Sequence, residues 1–544
     1  MTSSFDDSET LRLSKSLSGM RFPATHRVQD IVCGYCQLHE FKEVQLRRFP
    51  TRPGSLVVLV CASLSAAAAV SGFIPNLKPF RDDTGAVATF NTGGDIHEGN
   101  AFFQSLGTNG RSCATCHQAD QAMSLSAKGV NEIYERTHGD DPLFAAVDGA
   151  NCPTDPSRDR AAHSLLLERG LIRIGLSLPA NPEFTLAVVH DPYGCALTTD
   201  PTTGRPVVSV YRRPLPSTNL RFLSTIMFDG RETISPLNNA QTFATNLNTD
   251  LTAQAISAVQ THFQGEAPTA DKLAEIVQFE LGLSSAQIRD DNASLLHANG
   301  ASGGPMALST QNYYPGVNDA LGADPRGAKF NSSAFSLYTA WENAGSQNSS
   351  GDGPDYHKEG RTAEAREEIA AGEKLFNTQP AIITGVRGLN DNAALGSPAS
   401  IVGTCTTCHD SPNIGNHSVA LPLDIATSRQ SAYETNPAIV AGLQELTAPD
   451  LPIYEIGNCP DPSNPGKMVT YYTSDPGKGL ISGLCADVNR GKGPILRGLA
   501  ARAPYFHNGA AANLEQLVNF YNQRFQMNFT DQQKKELIAF LNSL

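Results

Sequence analysis

The 544-residue sequence predicts a mostly α-helical protein that contains two related domains in tandem. Two observations favour the tandem arrangement: a cysteine-rich pentapeptide occurs at 113–117 and again at 405–409, and a Gly-x-x-x-Phe segment precedes each copy, at 99–103 and 372–376. Few stretches alternate between apolar and polar residues as strands do, and 206–211 is the clearest of them. A chain of this length can bury the cores of two or three domains.

The two pentapeptides are Cys113-Ala-Thr-Cys116-His117 and Cys405-Thr-Thr-Cys408-His409. Both have the C-x-x-C-H form that attaches a c-type haem, with two thioether bonds to the porphyrin and a histidine that binds iron from one face. A single copy is also compatible with a zinc half-site, a redox-active cysteine pair or half of a disulfide. Two copies in an exported chain favour two covalently bound haems, with His117 and His409 as iron ligands.

Residues 44–71 have the organisation of an export signal. Arg47 and Arg48 form a basic start, 56–64 is an apolar run, and the segment ends in small residues suited to cleavage. The apolar run is short for a membrane span, so we expect no stable membrane-spanning helix after signal removal and a periplasmic or secreted protein. Residues 1–43 are interpreted as an over-extended start, that is, as sequence upstream of a true initiation site near Val44 or Leu46.

Four further cysteines follow the signal outside the haem motifs. An even number of cysteines in an oxidising compartment predicts two disulfides. The local pairings Cys152–Cys195 and Cys459–Cys485 would each close a short loop, and four unpaired thiols are the alternative.

The net charge of −13 argues against a nucleic-acid partner. An acidic surface can attract a basic electron carrier, although it also serves plain solubility.

The tandem domains are placed at 85–342 and 362–544, and the Gly-, Ser- and Asp-rich residues 343–361 are interpreted as a linker. A helix is predicted over 362–376, with Thr362 as its N-cap. Because a helix that leads into C-x-x-C-H begins a cytochrome c fold, the full prediction is two tandem cytochrome c-like haem domains with loop-rich insertions.

The C-terminus is predicted to be helical. Thr530 and Gln533 have capping-box spacing. The apolar residues that follow share one helical face: Leu537, Phe540, Leu541 and Leu544.

Two further segments give the sequence a resemblance to a known family. Met227-Phe-Asp-Gly-Arg231 follows the first haem motif, and Ala503-Pro-Tyr-Phe-His507-Asn-Gly509 follows the second. In this order and spacing, over roughly residues 95–544, the sequence resembles the bacterial di-haem cytochrome c peroxidases and MauG. The resemblance implies that the N-terminal haem reacts with hydrogen peroxide. It also implies that the C-terminal haem relays electrons from a small cytochrome c or cupredoxin, or from an organic or protein substrate.

The resemblance also implies a second axial ligand on the C-terminal haem. Peroxidases of this family use a methionine on the helix after the Pro-Tyr-x-His segment, whereas MauG uses a tyrosine. Tyr521 stands at the corresponding place, and Met527 is the rival ligand. An ordinary core tyrosine is the remaining alternative.

The group that moves protons at the N-terminal haem is ambiguous in the sequence. The family places a glutamine and a glutamate after Asp-Gly-Arg; Gln241 matches the glutamine roughly, but no glutamate follows at the right spacing. Gln254 and His262 are eight residues apart on a helical pattern and form a second candidate pair, with an ordinary surface histidine as the alternative. Arg231 is expected either to bind a haem propionate or to make a structural salt bridge.

Two residues are expected to lie between the haems, Phe228 and His507. Phe228 stands where a tryptophan is usual, and phenylalanine is not readily oxidised. His507 is expected either to support electron transfer or to serve packing. The resemblance also implies one calcium ion bound by the carbonyls of Arg502 and Pro504, although no acidic cluster requires it.

These features predict a di-haem peroxidase-like oxidoreductase that reduces peroxide near His117 with electrons relayed through the His409 haem. The alternatives are a MauG-like oxidase of a protein or organic substrate, a di-haem oxygenase and a pure electron-transfer cytochrome. A second strong ligand on both irons would favour the cytochrome, and turnover with dioxygen alone would favour the oxygenase.

Overall fold

The computed structural model describes residues 72–344, 354–462, 464 and 466–544. Residues 69–544 form one compact unit. The interpretations of 1–43 as an over-extended start and of 44–71 as an export signal concern residues outside the described ones. None of the helices in the described ranges is long and apolar enough to cross a membrane.

Helix is the commonest regular structure in the described residues. Short 3-10 helices, among them Ala101–Phe103 and Cys405–Thr407, lie between the α-helices. The α-helices are α1 (Cys113–Cys116), α2 (Ala127–Thr137), α3 (Ala146–Gly149), α4 (Ser164–Arg169), α5 (Phe243–Thr261), α6 (Ala270–Gly282), α7 (Pro305–Ser309), α8 (Pro354–Thr378), α9 (Pro437–Leu443), α10 (Gly479–Ser482), α11 (Leu514–Arg524) and α12 (Asp531–Asn542).

The structure contains more strands than the sequence predicts. The predicted strand at 206–211 is confirmed as β8. Others escape prediction because they are very short or, like β3, buried on both faces, so that apolar and polar residues do not alternate. The strands are β1 (Phe73–Ile74), β2 (Phe80–Arg81), β3 (Gly85–Asn91), β4 (Ile96–His97), β5 (Ile172–Ser177), β6 (Thr185–His190), β7 (Leu197–Thr199), β8 (Pro206–Arg212), β9 (Leu283–Asp290), β10 (Ser294–Leu295), β11 (Ala381–Ile383), β12 (Ile401–Gly403), β13 (Ile453–Pro460) and β14 (Met468–Thr473).

The strands pair antiparallel in small sheets with the orders β1-β4, β10-β9-β3-β2, β5-β8-β7, β11-β12 and β14-β13-β6. The last of these sheets joins the two predicted haem domains, because β6 belongs to the first and β13 to the second. Ile456 of β13 lies opposite Leu186 of β6, and both contribute to one buried cluster. The two halves of the chain therefore share a sheet and a core.

Helix α8 contains the predicted helix at 362–376, but it begins earlier than predicted, and the strands β11 and β12 separate it from the second haem motif. It starts at Pro354, so Thr362 lies inside the helix and is not its N-cap, and the second half of the predicted linker is helical. Proline suits the first turn of a helix, where its missing N–H is not needed. At Gly372 the helix crosses α12 so closely that a Cβ atom would lie 2.0 Å from the carbonyl oxygen of Glu536.

The predicted C-terminal helix is confirmed as α12. The Thr530 hydroxyl accepts a hydrogen bond from the Gln533 N–H (3.2 Å), and the Gln533 side chain accepts one from the Thr530 N–H (2.9 Å). The predicted apolar face is buried against α8, where Phe540 contacts Phe376 with ring centroids 5.6 Å apart.

The four remaining cysteines lie close together in the two pairs that the sequence predicts. Cys152 and Cys195 have Cα atoms 5.9 Å apart, and Cys459 and Cys485 have Cα atoms 5.4 Å apart. Both separations suit a disulfide.

Candidate di-haem site

Each pentapeptide lies in the wall of its own large cavity. The first cavity is lined by Cys113, Cys116 and His117, and we call it cavity 1. The second is lined by the corresponding residues 405, 408 and 409, and we call it cavity 2. The four motif thiols are not paired with one another. Two cavities, each with the two free thiols and the histidine of one motif, fit the predicted covalent haems.

The two motif histidines are held in the same way. Nδ1 of His117 lies 3.2 Å from the carbonyl oxygen of Met123, and Nδ1 of His409 lies 3.0 Å from that of Gly415. Such a bond keeps the proton on Nδ1 and leaves Nε2 free for a metal. Burial lowers the pKa of both rings, to about 4 for His117, so both are neutral imidazoles, which is the form that binds iron.

The motif cysteines are also uncharged in these surroundings. Burial raises the pKa of Cys116, Cys405 and Cys408 to about 12 and that of Cys113 further still. An uncharged thioether is compatible with the same apolar setting, whereas a structural zinc ion would need thiolates.

A phenylalanine packs beside each motif histidine in nearly the same geometry. Phe102 and His117 have ring centroids 6.3 Å apart at 51°, and Phe376 and His409 have centroids 6.0 Å apart at 52°. The internal repeat seen in the sequence is therefore present in three dimensions. It is displaced by one residue, because Phe103 rather than Phe102 aligns with Phe376.

One face of α5 lines cavity 1. Residues at helical spacing, Leu251, Gln254, Ala255 and Ala258, are followed by His262 at the helix end. The predicted pair Gln254 and His262 thus lies on one face and reaches the cavity of His117. Gln241 is exposed before the start of α5, so the structure gives its predicted catalytic role no support.

His262 is held by a buried ion pair. Its Nδ1 lies 2.5 Å from an Asp148 carboxylate oxygen, and the other oxygen accepts a hydrogen bond from Arg111. Burial alone would raise the pKa of Asp148, but the hydrogen bond with His262 and the charge of Arg111 outweigh it and keep that pKa below its usual value. Asp148 is therefore an anion that orients the ring and leaves its Nε2 for a molecule in cavity 1.

Glu280 of α6 is a second acid–base group in the wall of cavity 1. Its side chain is buried, and Oε2 has no hydrogen-bond partner in the described structure. Burial raises the pKa of Glu280 to about 8, so the carboxyl group carries a proton at neutral pH. The sequence analysis did not identify Glu280. Its position could have indicated a buried acid, because it shares the apolar helical face of Leu273 and Ile276.

Cations in the wall of cavity 1 differ in whether they already have an acidic partner. Arg231 binds Asp229 at 2.9 Å, which supports the salt-bridge alternative for this residue. Lys492 and Arg497 also line the cavity, and neither pairs with a carboxylate in the described residues. Burial lowers the pKa of Lys492 to about 7 and that of Arg497 to about 10, so an acidic partner such as a propionate would stabilise both.

Both rival ligands predicted for the second haem line cavity 2. Tyr521 of α11 lies there with Phe525, and the buried Met527 follows. The half-buried Tyr521 makes no hydrogen bond through its hydroxyl to another described residue, and its ring lies among Phe506, Phe520 and Phe525. Burial raises the pKa of Tyr521, so the phenolate needs a nearby cation such as iron.

Phe228 and His507 lie between the two cavities. Their rings stack with centroids 4.3 Å apart at 9°, and both line cavity 2 while Phe228 also lines cavity 1. A Cβ atom on Gly491 would lie 2.2 Å from the Phe228 ring, so only glycine fits there. Burial lowers the pKa of His507 to about 4, which leaves it neutral. The wall shared by both cavities is formed by Arg213, Pro214, Leu215, Pro216, Phe228, Lys492, Pro494 and Arg502.

One of the carbonyls expected to bind calcium has a different cation. The carbonyl oxygen of Arg502 accepts a hydrogen bond from Arg213 at 2.6 Å, and the same guanidinium also binds the carbonyl of Arg169. A calcium ion at Arg502 and Pro504 stays a prediction without structural support.

Comparison with known proteins shows partial similarity to bacterial peroxidases. No family model matches the sequence. The chain is 30% identical over 153 residues to cytochrome-c peroxidase IdrP2 of Denitromonas iodatirespirans, covering 26% of this chain and 36% of that protein. It is 39% identical over 83 residues to cytochrome c551 peroxidase of Nitrosomonas europaea, covering 14% of this chain and 25% of that protein. The chain therefore matches only 36% of the first relative and 25% of the second.

Proposed function

We propose that the protein is a di-haem c peroxidase that reduces hydrogen peroxide in cavity 1 with electrons delivered through cavity 2. The observation that carries this proposal is the position of His262 and Glu280: among the described residues, these two acid–base groups line cavity 1 with His117 and do not line cavity 2. The partial similarity to two peroxidases supports the same reaction class.

The residues of both motifs would hold haem c, which supplies iron that exchanges electrons with peroxide. In cavity 1, Nε2 of His262 accepts a proton from one peroxide oxygen and returns it to the other as the O–O bond breaks. Asp148 stabilises the imidazolium that exists between these two transfers. Gln254, which lines the same cavity, would hydrogen-bond peroxide.

Reduction of hydrogen peroxide to two water molecules consumes two electrons and two protons. Glu280 holds a proton at neutral pH and is placed to supply one of them. The acidic surface, with a net charge of −13, suits a basic electron donor such as a small cytochrome c or cupredoxin. Phe228 lines both cavities and stacks on His507, so electrons would pass near this pair.

A turnover experiment on the holoprotein tests this proposal. Peroxide consumption is measured with a reduced small cytochrome c as donor, for the wild type, His262→Gln and the control His297→Gln, whose histidine is exposed. We expect His262→Gln to lower kcat/KM by about 100-fold and the control to match the wild type. Equal rates for all three proteins, or no peroxide consumption by the wild type, would contradict the proposal.

A MauG-like oxidase is the second candidate, and the unpartnered hydroxyl of Tyr521 favours it. An anionic tyrosine ligand stabilises oxidised iron, so the second haem would store oxidising equivalents rather than pass electrons inward. Slow reduction of the peroxide-treated holoprotein by small cytochromes, together with rapid oxidation of an added protein or phenolic substrate, would favour this alternative.

A further inference from the structure

A buried cluster of metal-binding side chains lies beside the second haem motif. Asp319, Asp410 and His417 each direct one ligand atom to the same place, with all three atoms within 4.8 Å of one another. Their exposed fractions are 1%, 0% and 2%. The cluster lies outside the two iron-binding motifs, although His417 also touches cavity 2.

Each carboxylate presents an oxygen that has no hydrogen-bond partner in the described structure, Asp319 Oδ1 and Asp410 Oδ2. Nε2 of His417 is also unpartnered, whereas its Nδ1 accepts a long hydrogen bond from the Val419 N–H (3.4 Å). The other oxygen of each carboxylate is fixed in place. Asp319 Oδ2 accepts from the Ala323 N–H, and Asp410 Oδ1 accepts from the Ser418 N–H, both at 2.7 Å. The carboxylates are therefore oriented by the backbone and leave one oxygen each for a further partner.

The two buried carboxylates have no lysine or arginine partner in the described residues. The nearest basic atom, Nδ1 of His417, is 3.8 Å from Asp410. Buried polar atoms in folded proteins nearly always have partners. A bound cation would give both free oxygens a partner.

We propose that Asp319, Asp410 and His417 bind a divalent transition-metal ion, with Zn²⁺ as the best match. Zinc accepts carboxylate oxygen and imidazole nitrogen together in a four-coordinate site, whereas calcium and magnesium prefer oxygen ligands alone. Water or a neighbouring hydroxyl would complete the coordination.

The site would join the loop that follows α7 to the segment that holds the second iron ligand. Asp319 belongs to this loop. Two hydrogen bonds already join the same parts: the Gly316 N–H binds the Ser418 carbonyl (2.8 Å), and the Asn318 side chain binds the Asp410 carbonyl (2.9 Å). Asp410 directly follows His409, whose ring binds the nearby carbonyl of Gly415. A dication so close to His409 favours electron-rich iron, so zinc would raise the reduction potential of the second haem.

Zinc binding is measured on the holoprotein with both haems. After chelator treatment and dialysis, the protein is titrated with Zn²⁺, and bound zinc and iron are counted by mass spectrometry. We expect one zinc for every two irons, and at least tenfold weaker binding in Asp319→Asn and His417→Gln. The matched control is Asp324→Asn in the same loop, because Tyr314 and backbone N–H groups already occupy the Asp324 carboxylate.

Three results would overturn the proposal: no stoichiometric zinc, equal zinc affinity in Asp319→Asn and wild type, or calcium binding in preference to zinc. Co²⁺ provides a test that needs no variant, since four-coordinate cobalt gives intense visible bands after subtraction of the haem spectrum. Their absence from wild-type protein would also contradict the site. If Nε2 of His417 bound a haem propionate and the cluster bound no metal, zinc would not bind. Peroxidase activity enters none of these measurements, so the outcome is independent of the proposed reaction.

Discussion

His117 and His409 are held alike but face different surroundings. Each ring donates from Nδ1 to a backbone carbonyl and packs beside a phenylalanine. Across cavity 1 lie polar groups, whereas Tyr521 and Met527 face cavity 2. The shared part would fix how a cofactor is attached, and the proposed reaction assigns proton transfer to cavity 1. Changing one cavity at a time should therefore affect one haem and spare the other.

The largest expected change is in cavity 2. Tyr521→Phe removes the candidate oxygen ligand, so the electronic and paramagnetic resonance spectra of the second haem should change and its reduction potential should rise. Met527→Leu is the matched control in the same cavity and should leave both spectra as they are. If instead Met527→Leu changed the spectra and Tyr521→Phe did not, Met527 would be the ligand, as the resemblance implies for a peroxidase.

In cavity 1, Asp148→Asn should weaken peroxide turnover without changing the spectrum of the second haem. The amide cannot stabilise a positive imidazole on His262, so we expect kcat/KM to fall roughly 10- to 100-fold. Asp140→Asn, at an exposed salt bridge with Arg158, is the control. A loss explained wholly by lower haem content would assign Asp148 a structural role.

A smaller, pH-dependent change is expected at Glu280. Its raised pKa, about 8, means that the proton is present below this pH and lost as the pH rises through it. Wild-type kcat should therefore fall above pH 8, whereas Glu280→Gln should be roughly tenfold slower and lack this fall. A pH profile of kcat for both proteins tests whether Glu280 supplies a proton in the reaction. Identical profiles would remove Glu280 from the reaction.

The smallest expected change concerns the wall between the cavities. Phe228→Trp places an oxidisable ring against His507, and we expect electron transfer between the haems to become several-fold faster in flash-photolysis experiments. Phe73→Trp, at an exposed position, controls for the added tryptophan. An unchanged rate would mean that direct tunnelling already dominates.

The sequence predicted the parts of the site that depend on local spacing. The haem motifs and the shared helical face of Gln254 and His262 could be recognised because their residues are close in the chain. The partner of His262 could not, since Asp148 is 114 residues away and only folding brings the two together. The cluster of Asp319, Asp410 and His417 was also not predictable, because Asp319 lies in a loop far along the chain from the other two residues.

The fold was predictable to a similar degree. The helix at the C-terminus follows from its capping residues and periodicity, and the structure confirms it. The strand pair β6 and β13 was not predictable, because its partners come from opposite halves of the chain. Two tandem cytochrome c-like domains remain a prediction, and the shared sheet shows that any such domains are joined by more than a linker.

The central claim is that peroxide reacts at the His117 haem alone. Resting holoprotein is titrated with hydrogen peroxide while its absorption and paramagnetic resonance spectra are recorded. We predict that one haem, the one lost in a Cys113→Ala/Cys116→Ala variant, changes its spectrum at one equivalent of peroxide and that His262→Gln slows this change. Two six-coordinate haems whose spectra do not respond to peroxide would contradict the account.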